Sequence, residues 1–242
     1  KMVEGAETKT SQIGVGEYLD YFCEMLKSGK DVLHITLSSG VSGDYNSATS
    51  AALIARERYP ERKLYIVDSL GASSGYGLLV DKAADLRDEG MDIDGLKEWL
   101  TENRLNVHLW FYSSDLTFFV RGGRVSKAAG IFGGMLNICP VLNVDYLGRL
   151  TARTKVRGKK KAISELFKRF EEHVKEGADY SDKCFICHSQ CYDDAKELAD
   201  MVKDKCPKIK GDVQIFDIGS TIGCHTGPGT VALFFWGDKR EN

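Results

Sequence analysis

The first half of the chain alternates short apolar runs with longer stretches of helical periodicity. Each apolar run has the length of a buried strand, whereas the stretches between them repeat apolar residues at spacings of three and four. The pattern predicts strands over 31–37 and 63–69 and helices over 16–30, from about 45, over 71–90 and over 92–104. Strands that alternate with helices in this way are typical of a parallel α/β layer.

The rhythm changes near residue 105, where several apolar runs follow one another with only short turns between them. The pattern predicts strands over 106–112, 138–145, 147–156, 183–190, 212–219 and 230–237, and helices over 115–123, 126–137, 158–175 and 192–206. We therefore predict two α/β domains, 1–105 with a parallel sheet and 106–242 with an antiparallel or mixed sheet. Because the chain opens on polar residues and not on a strand, we expect the first domain to begin upstream of residue 1.

The composition is that of an ordinary globular protein, with 43% hydrophobic and 28% charged residues among 242. A net charge of -2 gives no general attraction to nucleic acid or to an anionic membrane. Seven cysteines without the spacing of a disulfide framework indicate reduced thiols, which favours a cytoplasmic location. The longest apolar stretch, 128–144, is interrupted by three glycines and a proline, so no integral membrane segment is expected.

The string C-F-I-C-H at 184–188 has the spacing of a c-type haem attachment site, and its thiols would also suit zinc. It lies, however, in a run predicted as a strand, where residues three apart point to opposite faces of the sheet. Because the thiols of Cys184 and Cys187 would then diverge, we favour buried apolar cysteines over a metal or haem site.

Two hydroxyl-rich segments are candidate binding elements. The segment 36–48 places serines and glycines between a strand and a helix, at the carboxyl end of a strand, where α/β sheets bind ligands. Free backbone N–H groups and hydroxyls there suit an anion, although a plain helix cap has the same composition. The segment 10–12 is shorter and on its own is more typical of a helix cap.

Two glycine-rich segments carry the remaining candidate side chains. The segment 223–230 is interpreted as a tight turn around His225, and a histidine outside the core strands favours a ligand site. The segment 121–127 has an arginine on each side of a glycine pair. Arg124 could pair with an anion or could stabilise the C-terminal end of a helix.

The segment 153–162 is strongly basic and includes Arg157. Such a run is usually a solvated surface. No aromatic residues are interleaved for base stacking, which argues against nucleic acid and leaves docking of an acidic partner as the functional interpretation. No Walker-type loop and no H-E-x-x-H occurs in the sequence, and we assign no nucleophile–base pair from it.

Six motifs together point to a known family. They are T-S-Q from Thr10, S-S-G-V-S-G-D-Y-N-S-A at 38–48, the segment 67–80, R-G-G-R-V-S-K-A at 121–128, the segment 136–150 and G-C-H-T-G-P-G-T at 223–230. Through them the sequence resembles the DegV family, fatty-acid-binding proteins that serve as acyl carriers of bacterial fatty acid kinase. The resemblance covers nearly the whole chain and implies a two-domain DegV-like α/β fold.

The resemblance also implies the site. The hydroxyls of Thr10 and Ser42 would hold the carboxylate of a long-chain fatty acid, with His225 and Arg124 close to it. The loops around the head group would contain Ser38, Ser39, Gly43 and Gly227. The acyl chain would lie in a tunnel between or beside the domains, with no cofactor other than the fatty acid. A separate ATP-binding kinase subunit, docked around Arg157, would phosphorylate the carboxylate.

Other interpretations stay open at this point. A stand-alone small-molecule hydrolase or kinase on the same fold is the main alternative, and a nucleic-acid-binding regulator ranks below it. The chain also departs from the usual family pattern at Ile13, Val41 and Asp44. Asp44 places a negative charge near the implied carboxylate site.

Overall fold

The computed structural model of the chain describes residues 2–125 and 137–241. The helices are α1 (Val15–Lys27), α2 (Asp44–Arg58), α3 (Ser73–Asp88), α4 (Ile93–Asn103), α5 (Thr117–Arg121), α6 (Lys159–His173), α7 (Tyr192–Lys205) and α8 (Ser220–Thr226). The strands are β1 (Val32–Thr36), β2 (Leu64–Asp68), β3 (Val107–Ser113), β4 (Ile138–Val144), β5 (Leu150–Arg157), β6 (Cys184–His188), β7 (Val213–Asp217) and β8 (Thr230–Trp236). The predicted apolar helix at 126–137 lies outside the described residues, except for its last position.

The small sheet consists of β1 and β2, which run parallel as predicted. Helices α1 and α2 pack on each other beside it and enclose a core that includes Phe22, Leu26 and Leu64. The buried face of α2 consists of small residues, among them Ala48 and Ala52, which let the two helices approach closely. The larger side chains of this core therefore come from α1 and the two strands.

The large sheet has six strands in the order β5-β4-β3-β8-β6-β7. Neighbouring strands are antiparallel except β6 and β7, which are parallel. The prediction of an antiparallel or mixed sheet, including the hairpin of β4 and β5, is confirmed. Helix α3, from the first half of the chain, packs on this sheet against β3, β6 and β8, and the domain boundary near residue 105 stays a prediction.

The two faces of the large sheet have different neighbours. Helices α6 and α7 cover one face, where Trp110 of β3 stacks on His173 of α6. Side chains alternate along a strand, so Leu109 and Phe111 lie on the other face. There α3 covers part of the sheet, and the rest borders a cavity.

The thiols of β6 follow the same alternation. Cys187 contacts the hydroxyl of Ser74 on α3, at an Sγ–Oγ distance of 2.9 Å. Cys184 lies on the opposite face, toward Cys206 at the end of α7, and burial raises the pKa of its thiol. The predicted divergence of the two thiols is therefore confirmed, and they do not form one binding site.

Within the described part of the chain, the helices are all too short or too polar to cross a membrane.

Two glycines of α3 give a matched test of its packing. A Cβ at Gly75 would overlap Leu109 and lie 2.9 Å from Cδ1 of Phe234, whereas a Cβ at Gly77 meets nothing within 4 Å. We expect Gly75→Ala to lower the free energy of unfolding by about 1–3 kcal/mol through overpacking. Gly77→Ala should leave it unchanged or raise it by up to about 1 kcal/mol, because alanine favours the helix. Chemical denaturation measures both, and equal effects would contradict the close approach of α3 to the sheet.

Candidate functional site

A cavity of about 550 Å³ lies on the face of the large sheet that α6 and α7 leave free. Its apolar lining includes Leu109, Phe111, Phe119, Val144, Ile222 and Phe234. Segments from both halves of the chain border it, namely residues 10–13 and 41–44 from the first half and α8 from the second. A volume of this size accommodates a small-molecule ligand.

Thr10 and His225 meet at the border of this cavity, with 2.7 Å between Thr10 Oγ1 and His225 Nε2. The prediction that His225 lies in a glycine-rich turn is wrong, because the residue belongs to the last turn of α8. The turn begins only at Gly227, whose φ of 66° ends the helix.

The imidazole of His225 is neutral at pH 7. Burial first, and then the nearby charge of Arg124, lower the pKa of His225 below its ordinary value. With the proton on Nε2, the ring donates to Thr10 Oγ1 and leaves the Thr10 hydroxyl proton free for a ligand. The other nitrogen, Nδ1, is buried without a hydrogen-bond partner and packs against the backbone of Gly122.

The Ser42 hydroxyl is oriented in a similar way. The backbone N–H of Asp44, at the start of α2, donates to Ser42 Oγ over 3.2 Å. Since this bond uses an acceptor position of the hydroxyl, the proton of Ser42 remains available to the cavity. Thr10 and Ser42 therefore both border the same space, where Ser42 has a free hydroxyl donor and Thr10 has one when Nε2 of His225 carries the proton.

Arg124 supplies positive charge at the same place. Its Nε donates to the carbonyl oxygen of Val41 over 3.3 Å, and its Nη1 donates to the carbonyl of Gly122. Both residues lie beside the groups just described, so the guanidinium lies between the Ser42 loop and His225. The structure thus brings together the four residues that the resemblance implies for the carboxylate, Thr10, Ser42, His225 and Arg124.

Two of the serines implied for the head-group loop have other contacts. Ser38 is fully buried, donates to the carbonyl of Gly148 over 2.8 Å and accepts from the N–H of Gly40. Ser39 is exposed, and its N–H donates to Asp68 Oδ1. Neither side chain borders the cavity among the described lining residues. Through these contacts Ser38 stabilises the conformation of the loop that carries Ser42.

The two glycines implied for the loops allow close contacts. A Cβ at Gly43 would overlap the side-chain amide of Gln12, which donates to Ser47 Oγ over 3.1 Å. A Cβ at Gly227 would overlap the ring of Phe118. Both glycines therefore bring neighbouring segments together around the cavity and do not themselves line it.

Sequence analysis missed the contribution of α8 to the cavity. Thr221, Ile222 and His225 of α8 border it together with Ile218, two residues before the helix, at the overall spacing i, i+3, i+4 and i+7. That spacing is the signature of one helix face and was present in the sequence. The glycines and the proline that follow obscured it.

Asp44 also lines the cavity. Its Oδ2 accepts a hydrogen bond of 2.9 Å from the hydroxyl of Tyr18 on α1. Burial, and then this bond, raise the pKa of Tyr18. The carboxylate is therefore held near Ser42, inside the same space as the hydroxyl donors.

Among the described residues, the side chains of His108, His173 and Asp238 could together reach a metal ion. They border a second cavity of about 580 Å³ on the α6 face of the sheet. Asp238 Oδ1 lies 2.9 Å from Nε2 of His108 and 3.1 Å from Nδ1 of His173. The two imidazoles stack at 4.7 Å with 19° between their planes, and a nitrogen of each ring lies within hydrogen-bond distance of the same carboxylate oxygen.

The tautomer of His108 also favours hydrogen bonding over a metal. Nε1 of Trp110 donates to Nδ1 of His108 over 3.4 Å, which leaves the proton on Nε2, facing Asp238. A metal-bound histidine instead needs that nitrogen free and its other N–H donating. Burial lowers the pKa of His108 to about 4, so the ring is neutral at pH 7. We assign a carboxylate held between two imidazoles.

Arg157, implied as a docking residue, lies at the end of β5, the edge strand of the large sheet. Its side chain is exposed, as are those of Arg153 and Lys155. Arg153 Nε donates to Asn143 Oδ1 over 2.8 Å. The basic segment therefore forms an exposed strip along one edge of the molecule.

The site as a whole suits an elongated ligand with a polar head. Hydroxyl donors and a guanidinium gather where Thr10, Ser42, His225 and Arg124 meet. Apolar side chains of β3 and β8 line the rest of the space. An anionic head group would be hydrogen-bonded while an apolar tail is removed from water.

Comparisons with known proteins give the family and the fold. Residues 1–238 match the sequence profile of the DegV family, which is described as uncharacterised. A DegV domain-containing protein of Clostridium perfringens is 38% identical over 241 residues, a match that covers 100% of this chain and 81% of the relative.

Two solved structures extend the comparison. A DegV family protein from Thermus thermophilus, described as fatty acid binding, superposes with a TM-score of 0.85 at 29% identity, over 98% of this chain and 81% of that protein. The Fak B3 protein of the Streptococcus pneumoniae fatty acid kinase, loaded with linoleic acid, superposes with a TM-score of 0.85 at 25% identity, over 97% and 80%.

The packing of His225 against Gly122 can be tested with two glycines. A Cβ at Gly122 would overlap Nδ1 of His225, whereas a Cβ at Gly223, on the same helix as the histidine, meets nothing within 4 Å. We expect Gly122→Ala to displace the imidazole and return its pKa toward the ordinary value of about 6.5. Gly223→Ala should leave that pKa low. An NMR titration of the ring measures both variants, and an unchanged pKa in Gly122→Ala would refute the contact.

Proposed function

Since the chain belongs to the DegV family, we propose that it binds a long-chain fatty acid and presents the carboxylate to a separate ATP-dependent kinase subunit. The kinase would transfer the γ-phosphoryl group of ATP to a carboxylate oxygen, which gives an acyl phosphate and ADP. In this proposal the chain is a binding subunit and not a catalyst on its own. We place it in the cytoplasm, where its seven free thiols stay reduced.

One observation carries the proposal. Hydroxyls from Thr10 and Ser42, which are far apart in sequence, point into the same cavity as an apolar strip of the large sheet. A hydrolase would need a nucleophile, an adjacent base and a third group that orients the base. Here His225 is hydrogen-bonded to the Thr10 hydroxyl, but its Nδ1 has no hydrogen-bond partner among the described residues, so its role fits orientation of a ligand donor.

The apolar lining would supply most of the affinity. Removing a methylene group from water stabilises binding by about 0.8 kcal/mol. A sixteen-carbon chain therefore contributes on the order of 10 kcal/mol before the cost of ordering the ligand. Side chains such as Leu109, Phe111 and Phe234 provide the surface against which it packs.

The polar groups would fix the head of the ligand. A buried ionised carboxylate is very unfavourable unless it accepts hydrogen bonds. Thr10 and Ser42 would donate to it, with the positive charge of Arg124 nearby. In-line attack on a phosphorus atom depends on such fixed orientation of the nucleophilic oxygen. His225 would act through Thr10 as a positioning residue.

We place the kinase contact on the exposed basic strip of β5 that contains Arg157. Positive charges of this kind accelerate and orient association with an acidic partner. The Fak B3 protein, to which this chain is similar, belongs to a fatty acid kinase.

Removal of the head-group donors tests the binding proposal. Thr10→Val and Ser42→Ala should each weaken palmitic acid binding by about 10- to 100-fold, the usual effect of losing a hydrogen bond to a charged group. Ser39→Ala is the matched control, because Ser39 is exposed and is not among the residues that line the cavity, so the affinity of this variant should equal that of the unmodified protein. Isothermal titration calorimetry measures the affinity of the three variants for palmitic acid. Equal losses in all variants, or none, would contradict the assigned donors.

Charge reversal on β5 tests the kinase contact. With the ATP-binding subunit of a fatty acid kinase, Arg157→Glu should raise the KM for this protein at least tenfold while fatty acid binding stays normal. Lys97→Glu, an exposed site on α4, should behave like the unmodified protein. The assay is acyl phosphate formation. Release of ADP or hydrolysis of an ester by this protein alone would instead favour the stand-alone enzyme.

A further inference from the structure

The carboxylate of Asp44 borders the cavity but has no role in the function proposed above. Asp44 begins α2, and its N–H donates to the hydroxyl of Ser42, so the two residues, which are two positions apart in the sequence, lie close together in space. A fatty acid carboxylate held by Ser42 would therefore lie beside a second carboxylate. Two like charges in one partly buried site raise the affinity of the pair for a proton.

The groups around Asp44 do not neutralise it. From α1, the Tyr18 hydroxyl donates to Oδ2 over 2.9 Å. His34 of β1 and Tyr76 of α3 lie close enough for the charge of Asp44 to act on them. Within residues 2–125 and 137–241, no basic side chain forms an ion pair with it.

The charges at the polar end of the cavity balance before any ligand arrives. Arg124 is positive and Asp44 negative, while His225 is neutral at pH 7. A bound carboxylate would thus add a negative charge that no residue of the described lining compensates. A shared proton removes the excess charge and adds a hydrogen bond between the two acids, as in other paired carboxyl sites.

We propose that Asp44 and the head group of the bound fatty acid share one proton, so that this cavity takes up a proton when it binds the acid. This inference rests on the proposed function, because it assumes a fatty acid head group beside Ser42. It makes Asp44 a residue that selects the ligand by its protonation state and by its ability to donate a hydrogen bond.

The expected pH dependence follows from linkage. A free carboxylic acid loses its proton near pH 4–5, whereas the bound pair keeps one proton to a higher pH. Between these two values the affinity should fall by up to about tenfold for each pH unit of increase, and it should level off above the pKa of the pair. An alcohol with the same chain has no charge to lose, so its affinity should not follow this pattern.

The experiment is calorimetric titration with decanoic acid, whose monomer is soluble, at several pH values between 5 and 8. Repeating each titration in buffers of different ionisation enthalpy gives the number of protons taken up. The unmodified protein should take up a proton, approaching one per ligand between the pKa of the free acid and that of the bound pair. Asp44→Asn should abolish the uptake, flatten the pH dependence and bind more tightly at pH 8. Asp20→Asn, on the exposed side of α1, should match the unmodified protein.

Two further variants remove the ambiguities. Asp44→Ser should repeat the result if Asp44→Asn folds poorly, as judged by circular dichroism. His225→Gln should still take up a proton on binding decanoic acid. If His225→Gln loses the proton uptake while Asp44→Asn retains it, the proton belongs to the imidazole and the inference is overturned.

Titration with 1-decanol separates the two proposals. If decanoic acid and 1-decanol both bind but Asp44→Asn changes neither affinity nor proton uptake, the role of Asp44 is refuted and the lipid-binding function stands. If neither ligand binds at any pH, the lipid-binding function falls with it.

Discussion

The hydrogen bond between Thr10 and His225 joins positions 215 residues apart, and the closure of the cavity depends on it. The segment that carries Thr10 has no regular secondary structure, so side-chain contacts must fix its path. Thr8 reaches the carbonyl of Cys224 on α8, and Gln12 reaches Ser47 on α2. This segment thereby connects α8 to the small-sheet unit, with the polar end of the cavity between them.

The cavity also depends on a sheet whose two faces are packed differently. On the α6 face, aromatic and histidine rings pack closely, as in the stack of Phe235, His108 and His173. On the opposite face, α3 approaches β3 and β8 so closely at Gly75 that only glycine fits. Beyond α3 the apolar side chains of β3 face a cavity, and their burial there would be completed by a ligand. A strand that is apolar on both faces therefore serves packing on one side and binding on the other.

Sequence periodicity predicted the strands and long helices because each has one dominant pattern, as in the fully buried β3 and β8. It did not predict α8, because Gly223 and Gly227 made the segment resemble a turn although its apolar residues have the spacing of one helix face. It also could not separate Ser38 from Ser42, since both are serines of one loop. They differ in their hydrogen bonds. The Ser38 hydroxyl donates to the carbonyl of Gly148, which lies 110 residues later in the chain, whereas the Ser42 hydroxyl keeps a free donor. A contact between residues so far apart in the chain cannot be predicted from the local sequence pattern.

The same Ser38 contact relates the proposed kinase surface to the head-group loop. The turn of the β4–β5 hairpin places Gly148, with a φ of 73°, directly against Ser38 and Gly40. From this turn β5 runs for eight residues to Arg157, a distance of about 25 Å at the usual rise of a strand. A protein interface of standard size, about 800 Å² on each partner, spans roughly that length. A kinase seated along β5 would therefore reach from the basic strip to the turn that supports the Ser42 loop, without any rearrangement of the sheet.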